Sequence, residues 1–238
     1  MYIKYRFDMN IYHDYCDSFD DLIKLENYDE IQYIKCTEMK LTILPVLPNS
    51  LIHLDCNYNK LTTLPVLPIG LRYLSFAENK LTYLNPLPIG LTHLYCDKNN
   101  LTELPELPTS LIVLACHKNQ LIKLPKLPNS LTHLYCYYNK LSVLPILPNS
   151  LTTLYCYENE LTMIPVLPNS LIRYDYHWNP IFNYIKKFYN GDVELYHKIT
   201  KIFANKIGDW FLECKYNPHY KYCRDRVNKE YDNLLKKD

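Results

Sequence analysis

Nine cysteines and eight histidines bring this 238-residue chain its most reactive side chains: thiolate nucleophiles, disulfide partners, metal ligands and general bases. Six of the cysteines, Cys36, Cys56, Cys96, Cys116, Cys136 and Cys156, are separated by multiples of 20 residues, and His53, His93 and His133 recur every 40. Such spacing arranges them in columns. Four ligands in a line cannot surround one ion tetrahedrally, and no C-x-x-C pair is present, so no metal is expected on the cysteines. Histidines two strand spacings apart, about 9.6 Å, are too far from one another to share an ion whose ligand bonds are about 2 Å. Adjacent cysteines about 4.8 Å apart satisfy the distance requirement for disulfides, but their parallel side-chain vectors do not favour bonding. The column therefore reads as buried free thiols in place of leucine, which points to a reducing, cytoplasmic compartment. Four glycines exclude glycine-rich phosphate loops, and no H-E-x-x-H, G-x-S-x-G or paired-carboxylate site is present. No catalytic residue, metal or cofactor is expected.

The elements that position these residues follow from self-similarity. Blocks of the form L-x-x-L-x-C-x-x-N-x-L-T-x-L-P-x-L-P-N-S begin at Leu51, Leu71, Leu91, Leu111, Leu131 and Leu151, with a weaker copy at Ile31 and a truncated one at Leu171. Apolar and polar residues alternate around Leu54 and Cys56, which is strand periodicity. Strands this short are unstable alone and must stack to bury their apolar face. Pro65 and Pro68 forbid helix on the return and favour an extended, polyproline-like path. The chain divides into an N-terminal cap (1–30), a solenoid (31–179) of seven full repeats and a truncated eighth, and a C-terminal helical cap or docking segment (180–238).

The pattern L-x-x-L-x-C-x-x-N-x-L resembles the leucine-rich repeat, with cysteine at the third apolar position. The L-P-x-L-P half is similar to the short repeats of bacterial type III effectors, and the Cys, Tyr and L-P-N-S usage resembles leucine-rich repeat proteins of amoeba-infecting giant DNA viruses. Met39 departs from the pattern where the first Asn belongs, as do Phe76 and Tyr176 where Cys belongs. The resemblance implies an α/β-type repeat solenoid, with a parallel β-sheet on the concave face and an extended convex face. It also implies a host or viral protein partner. Bacterial effectors with such repeats often carry a ubiquitin ligase with a C-x-D nucleophile motif, which Cys223-Arg224-Asp225 matches. This tail is several times shorter than such a domain, and Cys223 lies on an apolar helix face, so ligase activity is only an alternative.

In-register stacking assigns each column a role. Asn59, Asn79, Asn99, Asn119, Asn139, Asn159 and Asn179 form a ladder expected to bond the turn that leaves each strand. Residues flanking the second leucine face the concave side, where Tyr73, His93, Tyr95, His133, Tyr135, Tyr137, Tyr155 and Tyr157 make a contiguous patch. Tyrosine offers large contact area with few rotors, so this patch is the expected site of protein–protein interaction. A bias toward A+T-rich codons is the alternative account of abundant tyrosine. Stacked tyrosines also suit single-stranded nucleic acid, but Asp55, Asp97 and Asp175 on the same face, and 26 basic against 25 acidic residues overall, argue against it.

The ends differ from the repeats. Ser18-Phe19-Asp20-Asp21 before Leu22 predicts a short N-terminal helix. Ile181, Tyr184, Ile185 and Phe188 predict one C-terminal helix, Leu195, Ile199, Phe203, Ile207 and Phe211 a second, and Cys223, Val227, Tyr231 and Leu234 a third. Trp210-Phe211-Leu212 is assigned to the cap core. The start of the chain lacks a secretory-signal pattern and no apolar run approaches the ~20 residues of a membrane span. A monomer without membrane attachment is expected.

Overall fold

Repeats of 20 residues, each holding one strand too short to stand alone, can only be stable as a stack, and the computed structural model is such a stack. It describes residues 2–8 and 14–198. In chain order the elements are β1 (Ile3–Arg6), β2 (Asp14–Cys16), α1 (Phe19–Leu22), a 3-10 turn (Tyr28–Glu30), β3 (Tyr33–Lys35), β4 (His53–Asp55), β5 (Tyr73–Ser75), β6 (His93–Tyr95), β7 (Val113–Ala115), β8 (His133–Tyr135), β9 (Thr153–Tyr155), β10 (Arg173–Asp175) and α2 (Pro180–Phe188). One sheet holds all ten strands in the order β10-β9-β8-β7-β6-β5-β4-β3-β1-β2. Strands β3 to β10 are parallel and pair without slippage, so Tyr33, His53, Tyr73, His93, Val113, His133, Thr153 and Arg173 share one column.

The core lies behind the strands. Leu51, Leu54, Leu61 and their equivalents are buried, as are Cys36, Cys56, Cys96, Cys116, Cys136 and Cys156, with Phe76 and Tyr176 taking the cysteine position in their own repeats. The return segments hold no helix. In the first of them Leu44 and Leu47 turn inward while Val46 faces out. Each return closes with a tight turn: the Leu51 amide donates to the Pro48 carbonyl at 3.1 Å, and the bond recurs at every later repeat start. Proline fits that turn because its fixed φ needs no further ordering. Serine at the end of the turn ties it backward, Ser150 Oγ donating to the Leu131 carbonyl at 2.6 Å and Ser170 Oγ to that of Leu151 at 2.7 Å. At Gly90 there is no hydroxyl, and the Arg72 guanidinium fills the space, donating to the Gly90 carbonyl at 2.9 Å.

The N-terminal segment is more strand than helix. Helix α1 is four residues long, with the Ser18 side chain accepting from the Asp21 amide at 3.2 Å. Ahead of it β1 and β2 form an antiparallel pair, and β1 runs antiparallel to β3. The sequence carries the reason in a brief alternation: Ile3 and Tyr5 are buried, Lys4 and Arg6 are not. Pairing with β1 satisfies the backbone groups that β3 would otherwise expose at the edge of the parallel ladder.

The chain divides into two compact units, with the boundary between Asn183 and Tyr184, inside α2. Pro180 opens that helix at the position where its missing amide is not needed. The expected apolar set is shifted by one residue at its end: Phe188 is 43% exposed, whereas Tyr189 follows Ile181 and Ile185 inward at 3%. In the second unit residues 193–198 are helical and Val193 and Tyr196 are buried. The expected helical positions from Ile199 onward, with Trp210, Cys223 and Leu234, lie outside the described residues. Among the described residues no helix is long and apolar enough to cross a membrane.

Candidate protein-binding surface

Backbone geometry sets the platform. Each asparagine of the ladder bridges two repeats. Asn119 Nδ2 donates to the carbonyls of Cys116 at 3.1 Å, His117 at 3.4 Å and, one repeat back, Cys96 at 3.0 Å. Its Oδ1 accepts from the Leu101 amide at 3.0 Å. The same set recurs at Asn79, Asn99, Asn139, Asn159 and Asn179. Asn59, at the start of the ladder, serves the repeat that lacks its own asparagine: its Oδ1 accepts from both Met39 and Leu41 at 3.0 Å.

Immediately before each asparagine stands a non-glycine residue in the left-handed region: Tyr58, Glu78, Lys98, Lys118, Tyr138, Glu158 and Trp178, all with φ between 52° and 56°. This conformation costs roughly 1 kcal/mol or more per residue. The amides of Tyr58, Glu78, Lys98, Lys118, Tyr138 and Glu158 donate to the next repeat, as where Lys118 N donates to the Tyr137 carbonyl at 2.9 Å. The left-handed position has no sequence signature here, since none of these residues is glycine or asparagine.

On the sheet face the columns become stacks. Tyr33 and His53 stack at 4.5 Å between ring centroids, His53 and Tyr73 at 3.9 Å, Tyr73 and His93 at 5.9 Å. The Arg6 guanidinium lies over Tyr33 at 4.3 Å and closes this run from β1. A second run follows the rim position: His117 and Tyr137 at 4.2 Å, Tyr137 and Tyr157 at 4.5 Å, then Trp178 edge-on to Tyr157 at 6.2 Å. Tyr135 and Tyr155 approach at 5.6 Å, tilted. Of the eight face residues singled out by sequence, Tyr73 and His93 fall in the first run. Tyr95, His133, Tyr135, Tyr137, Tyr155 and Tyr157 line two adjoining depressions, of about 510 and 690 Å³, that share Tyr135 and Tyr137.

Burial sets the protonation of this face. It pushes the imidazoles of His53 and His117 down to about 4 and lowers that of His93. It raises the phenol of Tyr95, and raises those of Tyr73 and Tyr137 to about 12. These rings are therefore neutral near pH 7. Asp97, whose Oδ2 is 3.4 Å from His117 Nε2, has its carboxyl held above the usual range by the same burial. Behind the face, burial pushes every thiol of the cysteine column up, Cys156 to about 12, so none is an available thiolate. Among the described residues no three His, Cys, Asp or Glu side chains are grouped to hold a metal ion.

Several participants were not among the residues picked from sequence. Arg6 and Tyr33 belong to the first stack, and Arg6 comes from a strand outside the repeat. Val113 and Ala115, which line the smaller depression, show themselves only as small residues in columns that are otherwise large or polar.

Solved structures place this architecture. YopM, a leucine-rich effector protein from Yersinia pestis, matches with a TM-score of 0.56 and 32% identity over 62% of this chain and 49% of that one. A Shigella effector leucine-rich repeat domain matches with a TM-score of 0.60 and 30% identity over 67% of this chain and 76% of that one. The chain belongs to the leucine-rich repeat family. It spans about half the length of the Yersinia protein. No family model and no curated protein matches it.

Proposed function

We propose that this chain is an interaction module that recognises a protein partner through its sheet face, the concave side of a leucine-rich repeat, without covalent chemistry. The contact centres on Tyr95, His133, Tyr135, Tyr137, Tyr155 and Tyr157 and extends to Tyr73 and His93. The observation that carries the reading is the pair of adjoining depressions with the Tyr135 and Tyr137 rings in common. Neutral tyrosines suit such a role because they offer a large apolar area, a hydroxyl and only two side-chain torsions to freeze. The ladder bonds hold the strands that carry them, so little backbone entropy is lost on binding. The likeness to two effector proteins supports the same class of activity by analogy. A column of free buried thiols supports action in a reducing compartment such as cytoplasm, on a protein of the cell in which the chain acts.

The test is affinity capture from cytoplasmic extract with two baits, the wild-type chain and one carrying Tyr95→Ala, Tyr135→Ala and Tyr155→Ala. A partner captured by the wild type and lost from the folded triple variant supports the reading. A partner retained equally by both removes it.

A further inference from the structure

Strand β7 interrupts the aromatic face. Its two outward residues are Val113 and Ala115, whereas β6 presents His93 and Tyr95 and β8 presents His133 and Tyr135. Pairing in register sets Tyr95, Ala115 and Tyr135 side by side. The backbones that carry the two tyrosines are therefore about 9.6 Å apart, two strand spacings. The ring that Ala115 lacks leaves the smaller depression of about 510 Å³. Its floor is apolar, its walls include Tyr95, Tyr135 and Tyr137, and it contains one carboxylate, Asp97, and no lysine or arginine. The neighbouring depression differs in this respect, because Arg173 already stands in it beside Asp175.

Aromatic walls, a small floor and a single carboxylate are the chemistry that accepts an organic cation. A ring face attracts a cation within about 6 Å of its centroid, and the strands that carry Tyr95 and Tyr135 lie about 4.8 Å on either side of Ala115. The planar guanidinium slides between rings and bonds a carboxylate through two N–H groups, which a rounded ammonium cannot do. His117 brings no competing charge, because burial keeps its imidazole neutral. The geometry points to a cage at Ala115 that receives an arginine side chain of the protein partner, its guanidinium between Tyr95 and Tyr135 and bonded to Asp97. This specificity contact rests on the sheet-face reading above.

The test titrates the full chain with Nα-acetyl-arginine methylamide and with the corresponding citrulline and lysine amides, followed by NMR shifts of the tyrosine rings. Citrulline keeps the shape of arginine and lacks its charge. The expected result is saturable arginine binding, at least about tenfold tighter than citrulline and tighter than lysine. Ala115→Tyr abolishes it by filling the notch, and it folds because β6 and β8 carry tyrosine at the same position. Asp97→Asn weakens it by about tenfold, while His117→Gln, which changes the neighbour and leaves the carboxylate, keeps the preference for arginine over citrulline. Equal affinity for arginine and citrulline overturns the cage, as does binding that survives both Ala115→Tyr and Asp97→Asn. Preference for lysine overturns the guanidinium assignment. The two readings separate in the capture experiment. An Ala115→Tyr bait that keeps a partner lost from the triple tyrosine variant sinks the cage alone. A partner kept by both baits sinks the sheet-face reading itself.

Discussion

The asparagine ladder and the sheet face are built by the same stacking and obey opposite rules. Asparagine stands at the ladder position from Asn59 to Asn179 without exception. The neighbouring outward column runs through Lys35, Asp55, Ser75, Tyr95, Ala115, Tyr135, Tyr155 and Asp175. The difference is one of partners. A ladder side chain is enclosed by backbone donors and acceptors at fixed positions, and only a carboxamide supplies an acceptor and two donors in one plane. A face side chain meets its column neighbours and, except at positions such as Ser75 and Ala115, solvent, which constrain it much less. Uniform columns thus report the backbone, and broken columns report the surface.

That comparison breaks most easily at the ladder. Asn119→Ala strands the Leu101 amide and removes three bonds to carbonyls, and it is expected to cost roughly 3 kcal/mol. Gln120→Ala, next to it and exposed, is expected to stay within about 0.5 kcal/mol. Equal thermal midpoints for the two variants would refute the ladder's structural role.

A pH series separates the two regions next, because the ladder contains nothing that titrates. His53 and His117 protonate near 4 in the folded chain and near 6.5 when exposed. Between those values the unfolded state binds more protons, so stability rises with pH. The thermal midpoint is expected to be level above about pH 6.5 and to fall as pH drops toward 4. Substituting His53→Gln together with His117→Gln should flatten that slope; an unchanged slope would show that these rings are not the cause.

A smaller gain is expected where a turn lacks its serine. Gly70→Ser restores the hydroxyl that elsewhere donates to the preceding repeat, with a Cβ 3.8 Å from the Leu51 carbonyl oxygen, and should add about 1 kcal/mol. Gly90→Ser should not, because its side chain runs into Arg72. No gain in midpoint from Gly70→Ser would show that the serine bond contributes nothing, and an equal gain from Gly90→Ser would show that Arg72 does not block it. Tyr135→Ala should also change stability little, within about 1 kcal/mol of wild type, although it removes a wall of both depressions. A loss comparable to Asn119→Ala would move Tyr135 from surface to framework.

The 20-residue period determined the fold from sequence alone. Once Leu54, Cys56 and Asn59 repeat without insertion, stacking in register is the only way to bury them, and that stacking fixes which residues share a column and which face outward. The N-terminal hairpin escaped because Ile3-Lys4-Tyr5-Arg6 is a short alternation whose partner, β3, is distant in sequence. The left-handed residues before each asparagine escaped because tyrosine, glutamate, lysine and tryptophan carry no signal for positive φ. Column membership likewise left open which rings touch. The close stacking of His53 on Tyr73, the cation over Tyr33 supplied by Arg6, and the notch that Ala115 leaves between Tyr95 and Tyr135 depend on side-chain torsions and on pairing across strands, and these are decided only when the repeats are packed together.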